Sequence, residues 1–228
     1  FVPMIWGAWG GAQAMRQKIQ HDIAPHYKRG QVHRLLAFNE PDVKTQSHLT
    51  VHQALQYWPM LQEVGIPLAS PSAGHALGDW MQQFMSEVES NNLRVDYIAM
   101  HWYKNPNPGR FKRDVMEVYH RYGERPILIT EFAPADWTAR TPEENKHTPQ
   151  QVLAFAKEVL PWLERQSFVE GYAWFPFRSS SAAGTSSALF DEYFSDSLTP
   201  LGRYYAGVTP SNPDGDQTIE WARMKSDI

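Results

Sequence analysis

Short apolar runs alternate along the chain with longer amphipathic stretches, and this alternation constrains the fold more than any other feature. The apolar runs are FVPMIWG (1–7), RLLAFNE (34–40), IPLASPSA (66–73), VDYIAMHWY (95–103), PILITEF (126–132) and VEGYAWFPF (169–177). Five stretches between these runs carry apolar residues at helical spacing. The first starts near residue 12, and the others cover 47–64, 78–90, 110–122 and 148–166. Strands that alternate with helices about every 30 to 35 residues predict right-handed βαβ units and a parallel sheet.

Such a sheet is either an open, doubly wound sheet or a closed (β/α)8 barrel. An open sheet often carries a Gly-rich phosphate turn, and the sequence contains neither a GxGxxG nor a Walker A pattern. In a barrel, the side chains that do chemistry lie at the carboxyl ends of several strands. The predicted strand ends here carry Asn39, Glu40, His101, Tyr103, Glu131 and Trp174. We therefore predict an α/β protein with a (β/α)8 TIM barrel.

The number of predicted strands and the composition set the limits of this prediction. Only strands three to eight of a barrel are visible, so we expect the first two upstream of Phe1, a barrel over 1–207 and a polar C-terminal extension over 208–228. The formal net charge of −4 and the lack of a dominant basic patch argue against nucleic acid and anionic membranes as partners. The absence of cysteine excludes disulfides and thiolate metal sites.

Two of the predicted strands end in a glutamate. Glu40 closes the run in LLAFNEPD, where Leu36, Phe38 and Glu40 are expected to share one side of the pleat, and Glu131 closes the run in RPILITEFAP. Taken alone, each is more often a surface or ion-paired residue. The two strands are about three βα units apart, so in a barrel they lie on opposite walls and their carboxyl groups can meet at the mouth. Two facing carboxyl groups are the catalytic groups that glycoside hydrolysis requires.

These motifs carry a family resemblance. FNEP with a later TEF resembles the clan GH-A pattern of retaining (β/α)8 glycosidases, and the ordered set FVPMIWG, LLAFNEPD, VDYIAMHWY, ILITEFA and LTPLGRYY is similar to glycoside hydrolase family 128, which contains endo-β-1,3-glucanases. The resemblance implies that FVPMIWG is the third strand, that Glu40 is the acid/base and that Glu131 is the nucleophile. It implies a retaining, endo-acting hydrolase of β-1,3-glucan that needs no cofactor and no metal.

The resemblance also implies roles in substrate binding. Asn39 would contact the sugar 2-hydroxyl, Tyr103 would hold Glu131 in orientation with His101 beside it, and Trp174 would form the platform under the sugar at the cleavage point. Trp6 and Trp102 complete the predicted binding residues. Further aromatic residues at or after predicted strand ends are Trp9, Trp80, Trp137 and Phe175. Packing in the core explains any single one of these tryptophans equally well, since sugar faces and protein cores both favour aromatic rings.

Several alternatives stay open at this stage. Another clan GH-A β-glycanase, acting on β-1,4-glucan or mannan, would use the same two glutamates, and a non-catalytic glucan-binding barrel would lack turnover. His48 and His52 have a metal-like spacing without a third ligand, so a solvated helix face is the better interpretation. The segment 178–190 is expected to be a mobile loop. We expect a monomer, and the resemblance implies that it is secreted or directed to the cell wall.

Overall fold

The computed structural model of the protein describes residues 1–191 and 196–208. The described residues contain six strands, as predicted. They are β1 (Met4–Ile5), β2 (Leu35–Asn39), β3 (Leu68–Ser72), β4 (Ile98–Trp102), β5 (Ile127–Phe132) and β6 (Val169–Trp174). Apart from Val208, the predicted C-terminal extension lies outside the described residues.

Helices separate the strands. They are α1 (Gly11–Lys18), a π-helical turn (Ile19–Ile23), α2 (Ala24–Lys28), α3 (Val51–Gln62), α4 (Asp79–Ser90), α5 (Pro108–Arg121), α6 (Pro149–Glu164) and α7 (Pro200–Ala206), with short 3-10 turns at Pro142–Glu144 and Thr185–Ser187. None of the helices in the described ranges is long and apolar enough to cross a membrane.

The strands are parallel and follow one another in chain order. The first sheet has the order β1–β2–β3, with Met4 opposite Leu36 and Leu35 opposite Leu68, and the second has the order β4–β5–β6. A parallel bridge between Ala69 and Tyr97 joins β3 to the residue before β4. The predicted parallel α/β arrangement is therefore confirmed, while a closed eight-stranded barrel stays a prediction.

Local capping explains where two of the longer helices begin. The Thr148 hydroxyl accepts a hydrogen bond from the Gln151 amide at 3.2 Å, and the Gln151 side chain accepts one from the Thr148 amide at 2.9 Å. Pro149 occupies the first turn, where the missing amide hydrogen is not needed. Thr50 and Gln53 form the same capping box at the start of α3. The helix start predicted at Thr148 is confirmed.

The chain forms two compact units. The first contains Phe1–His101 and Val118–Thr130, and the second contains the described residues of Trp102–Glu117 and Glu131–Ile228. In the first unit, Leu36, Ala69, Ala99 and Leu128 pack together from four successive strands. A second layer of this unit is aromatic, because fully buried Trp58 of α3 contacts Phe38 and Phe84.

Strand β2 is not a regular pleat, and this corrects one prediction. Leu36 packs against neighbouring strands, whereas the ring of Phe38 lies 6.4 Å from that of Trp58 in α3, so the two side chains face different layers. The register with β3 shifts between Leu35 and Asn39, and Phe38 has a φ of 38°. A bulge of this kind breaks the alternation of side chains. The prediction that Leu36, Phe38 and Glu40 share one side was wrong.

Candidate active site

Glu40 follows directly after β2 and is held by a buried histidine of β4. The Glu40 amide donates to the Ser72 carbonyl at 2.9 Å, which continues the pairing with β3. Its Oε1 and the Nδ1 of His101 are hydrogen-bonded at 2.9 Å, with the His101 side chain buried and the Glu40 side chain 16% exposed. The carboxyl group is therefore oriented by the protein and still reaches solvent.

Asn39 lies beside this pair and is buried. Its amide nitrogen in the backbone donates to the Trp6 carbonyl at 2.8 Å, and its side-chain nitrogen donates to Gln46 at 3.2 Å. Gln46 was not predicted as a site residue, because a glutamine in a loop gives no sequence signal. It fixes the Asn39 side chain, the group that is predicted to contact the sugar.

Glu131, near the end of β5, has a phenolic partner in the second unit. The Tyr103 hydroxyl donates to its Oε2 at 2.5 Å, and both residues are half-buried. A short hydrogen bond to an ionised oxygen is strong and directional. The expected contact between Tyr103 and Glu131 is thus present in the structure.

Three aromatic rings, which we call the aromatic collar, surround Tyr103. Trp137, Phe175 and Phe177 approach its ring with centroid separations of 5.7, 5.6 and 5.9 Å, each close to edge-to-face. Trp137 is 64% exposed, so its ring is available to a ligand. Phe177 was missed by the sequence analysis, although its two-residue spacing from Phe175 was the available signal.

The collar depends on a glycine. A Cβ atom placed on Gly184 would lie 1.9 Å from Cγ of Phe177, far inside any real contact. The Phe177 ring therefore packs directly on the backbone of the segment that follows β6. Only glycine allows this approach without displacing the ring.

Trp102 and Trp174 do not have the substrate-binding positions predicted for them. Trp102 is 2% exposed and packs between Phe111 and Phe155 of the helical layer, with its indole nitrogen donating to Asp114 at 2.9 Å. Trp174 is 4% exposed, contacts Phe132 and Phe155, and donates to the Ser187 carbonyl at 2.9 Å. Because both rings are covered by protein, we correct their assignment from substrate binding to packing.

Trp6 and Trp9 form a stacked pair after β1. Their ring centroids are 4.5 Å apart at an interplanar angle of 25°, with Trp6 half-buried and Trp9 67% exposed. Since the Trp6 carbonyl accepts from Asn39, this pair adjoins the Glu40 end of the first unit. Trp80, in contrast, stacks on Phe84 and donates to the Leu49 carbonyl, which indicates packing.

The segment 178–190, expected to be mobile, makes several hydrogen bonds to the loop after β5. Ser187 is fully buried and donates to the Pro134 carbonyl at 2.6 Å, and the Ser186 hydroxyl donates to the His147 carbonyl. The Asp136 amide donates to Ala183 at 2.8 Å. These bonds join residues 183, 186 and 187 to the loop after β5, and the mobility of the segment stays a prediction.

Asp136 organises that loop. Its carboxylate accepts hydrogen bonds from the Thr138 hydroxyl at 2.6 Å and from the backbone amides of Thr138 and Lys146, both at 3.0 Å. These bonds, the Thr138 hydroxyl first, lower the pKa of Asp136 from 3.8 to about 2. The ionised carboxylate therefore holds the residues on either side of Trp137.

His48 and His52 do not share a helix. Helix α3 begins at Val51, and His48 precedes it with a φ of 46°. Both side chains are exposed. The metal-like spacing thus has no structural basis, in agreement with the interpretation that these histidines are solvated.

Comparisons with known proteins give the family. A model of the glycosyl hydrolase catalytic core matches residues 1–205. No curated protein sequence matches the chain. A GH128 subgroup I endo-β-1,3-glucanase from Amycolatopsis mediterranei, solved as a glutamate-to-alanine variant with laminaripentaose, is 32% identical, with a TM-score of 0.72 over 90% of this chain and 80% of that chain.

Two further structures extend the comparison across subgroups. A subgroup II endo-β-1,3-glucanase from Sorangium cellulosum has 24% identity and a TM-score of 0.71, covering 92% of this chain and 81% of its own, and supports the fold alone. A subgroup V exo-β-1,3-glucanase from Cryptococcus neoformans has 25% identity and a TM-score of 0.66, covering 90% and 76%. The matched catalytic-core model and the 32% identity to the Amycolatopsis enzyme show that the chain belongs to glycoside hydrolase family 128.

Proposed function

We propose that this glycoside hydrolase cleaves β-1,3-glucan internally and with retention of anomeric configuration. The observation that carries the proposal is that two glutamates at strand ends each have a hydrogen-bonding partner from β4 or the residue after it, His101 for Glu40 and Tyr103 for Glu131. The substrate class is supported by similarity to glucanases crystallised with laminari-oligosaccharides. A closed (β/α)8 barrel, with two strands besides the six described, is part of the proposal.

In the first step, the Glu131 carboxylate attacks the anomeric carbon while protonated Glu40 gives its proton to the glycosidic oxygen. The bond between that oxygen and the anomeric carbon breaks, and the leaving sugar departs as an alcohol. Tyr103 keeps the attacking carboxylate aligned through its hydrogen bond. The product of this step is a glycosyl ester of Glu131 and an ionised Glu40.

In the second step, water hydrolyses the glycosyl ester of Glu131. The Glu40 carboxylate takes a proton from the water as its oxygen attacks the anomeric carbon, and Glu131 leaves as a carboxylate. Two inversions give net retention. The reaction requires carboxyl groups about 5 to 5.5 Å apart, since inverting enzymes have separations of about 6.5 to 9.5 Å.

Sugar binding is assigned to Asn39, the residue before Glu40, and to aromatic rings that the protein leaves accessible. Asn39, held by Gln46, would hydrogen-bond the 2-hydroxyl, a contact that strengthens as the transition state forms. Exposed Trp9 and Trp137 would stack on the apolar faces of sugar rings. Trp6 supports Trp9 from behind, and Phe175 with Tyr103 would line the cleavage point in place of Trp174.

Product analysis on laminarin tests the proposal. We expect soluble oligosaccharides of mixed length, and the newly released reducing ends should be β-anomers when NMR spectra are recorded before mutarotation. Glu131→Gln is expected to abolish turnover while keeping binding of laminari-oligosaccharides, and Glu158→Gln, on the exposed face of α6, serves as the matched control. α-Anomeric products would refute retention, and only single-sugar release would refute endo action.

A panel of polysaccharides separates the alternatives. Preference for β-1,4-glucan or mannan would change the substrate but keep the mechanism, because the two-glutamate chemistry is the same. Tight binding of laminarin without product over a long incubation would identify a binding module. We further propose that the protein is a monomer and acts outside the cell or in the cell wall, where polymeric glucan is present.

A further inference from the structure

The turn after Glu40 is unusually constrained. Glu40 has a φ of 40°, a backbone conformation that residues other than glycine rarely adopt. Its carbonyl accepts from the Val43 amide at 3.0 Å, which closes a four-residue turn through Pro41 and Asp42. A strained residue keeps such a conformation only where its surroundings over-determine it.

Asp42 connects the turn to the loop after β3. Its Oδ1 accepts from the Gly74 amide at 2.7 Å and its Oδ2 from the His75 amide at 3.1 Å, while the His75 ring nitrogen lies 3.7 Å away. The Asp42 side chain is only 15% exposed. Two charge-assisted bonds to adjacent backbone amides form a clamp between the loops.

Close packing reinforces this clamp. A Cβ atom on Gly74 would lie 3.0 Å from a methyl group of Val43, so the two loops are already in tight contact. On the other side of the turn, the Leu49 amide donates to the Pro41 carbonyl at 3.1 Å. The turn is therefore held from two directions, and Asp42 is the side chain that holds it on the β3 side.

We infer that Asp42 is a positioning residue that sets the place of the Glu40 carboxyl group relative to the glycosidic oxygen. The inference rests on the proposed function, in which Glu40 protonates that oxygen. Asn at position 42 would present one acceptor and one donor to two backbone amides, so one of the two bonds is lost. The turn then relaxes, and a misplacement of about 1 Å at a reacting group can reduce the rate by about 100-fold.

Substrates with different leaving groups distinguish a positioning role from a general loss of structure. A sugar leaves as an alcohol and needs the proton from Glu40, whereas 2,4-dinitrophenolate is stable as an anion and needs none. For Asp42→Asn we expect kcat/KM on laminarihexaose to fall about 10- to 100-fold, with less than about twofold change on 2,4-dinitrophenyl β-laminaribioside. Asp42→Glu, which keeps both acceptor oxygens, should restore part of the loss.

Asp96→Asn is the matched control. Asp96 also accepts from a backbone amide, that of Leu68 at 2.6 Å, and binds Arg94, but it precedes β4 at the opposite end of the strand. We expect this variant to lose stability without changing the ratio of the two kcat/KM values. Thermal unfolding and circular dichroism report whether each variant is folded.

The outcomes are distinct. An Asp42→Asn enzyme that is folded and loses activity equally on both substrates, or on neither, overturns the inference while the proposed function stands. A wild-type protein that cleaves neither substrate overturns both. If Asp42→Asn does not fold, Gly74→Ala provides the milder change, because its methyl group pushes on the same contact, and it should shift the ratio in the same direction by a smaller factor.

Discussion

Replacing Gly184 by alanine is expected to lower the free energy of unfolding by about 1 to 4 kcal/mol. Gly184 has a φ of −124°, which suits alanine, so the effect is steric and not conformational. The new methyl group would lie 1.9 to 2.3 Å from three ring atoms of Phe177, and the ring must therefore leave its position. Overpacking of this kind costs about 1 to 3 kcal/mol.

The contacts of Phe177 in the aromatic collar account for the upper part of the expected loss in unfolding free energy. Phe177 contacts Tyr103, Trp137 and Phe175 with centroid separations of 5.9, 6.2 and 4.9 Å. Each aromatic pair contributes about 0.5 to 1.5 kcal/mol beyond its buried area, so losing two or three of them accounts for several kcal/mol.

A double-mutant cycle in urea provides the assay. In a Phe177→Ala background the ring is absent, and Gly184→Ala should then have almost no effect, which gives a coupling free energy of about 1 kcal/mol or more between the two positions. A coupling below about 0.5 kcal/mol would show that the ring moves away freely and would refute the packing argument. Activity on laminarin should fall with stability in the single variant, because Tyr103 loses one of its supports.

Three further variants test other contacts. Asp136→Asn should flatten the dependence of the unfolding free energy on pH between about pH 4 and pH 2. The Thr138 hydroxyl holds the pKa of Asp136 at about 2, so the stabilisation by the Asp136 carboxylate is present above pH 3.8 and is lost as the pH falls towards 2. An unchanged pH dependence in urea unfolding would contradict this. Tyr103→Phe should lower kcat on laminarin about 10- to 150-fold, since a hydrogen bond to a charged group contributes about 1.5 to 3 kcal/mol; unchanged kcat would exclude an orienting role. Trp174→Phe should lose about 1 to 3 kcal/mol in thermal unfolding by leaving a buried carbonyl without its donor, with KM unchanged; a raised KM would restore the platform assignment.

The sequence predicted the order of elements well because its start and stop signals are local. Thr148 and Pro149 mark the beginning of α6, and the structure places it there. The first predicted helix, in contrast, is divided into α1, a π-helical turn and α2. Such a division depends on how Ile19 and Ile23 enter the core, which apolar spacing alone does not express.

The candidate site was predictable in its polar part and less so in its aromatic part. Glu40, His101, Tyr103 and Glu131 come from strand ends, where a polar side chain after an apolar run is informative. Tryptophan is equally at home in a core and in a sugar site, so the pattern could not assign Trp174 to the buried layer.

The face of the strand on which a side chain lies was also difficult to predict from the sequence. Alternation identifies residues that share a face, but it does not say which face is covered by helices. A bulge removes even that information, as at Phe38, whose positive φ has no signature in the residue type. These positions are decided by packing between elements distant in sequence.

The left-handed backbone at Glu40 has a consequence for how this enzyme would respond to selection. Outside glycine, such a conformation is unfavourable by about 1 to 2 kcal/mol. A screen for heat resistance alone would therefore favour glycine at this position. Under the proposed mechanism, in which Glu40 is the acid/base, such variants would be inactive, so engineering of the protein would have to select for thermal tolerance and turnover together.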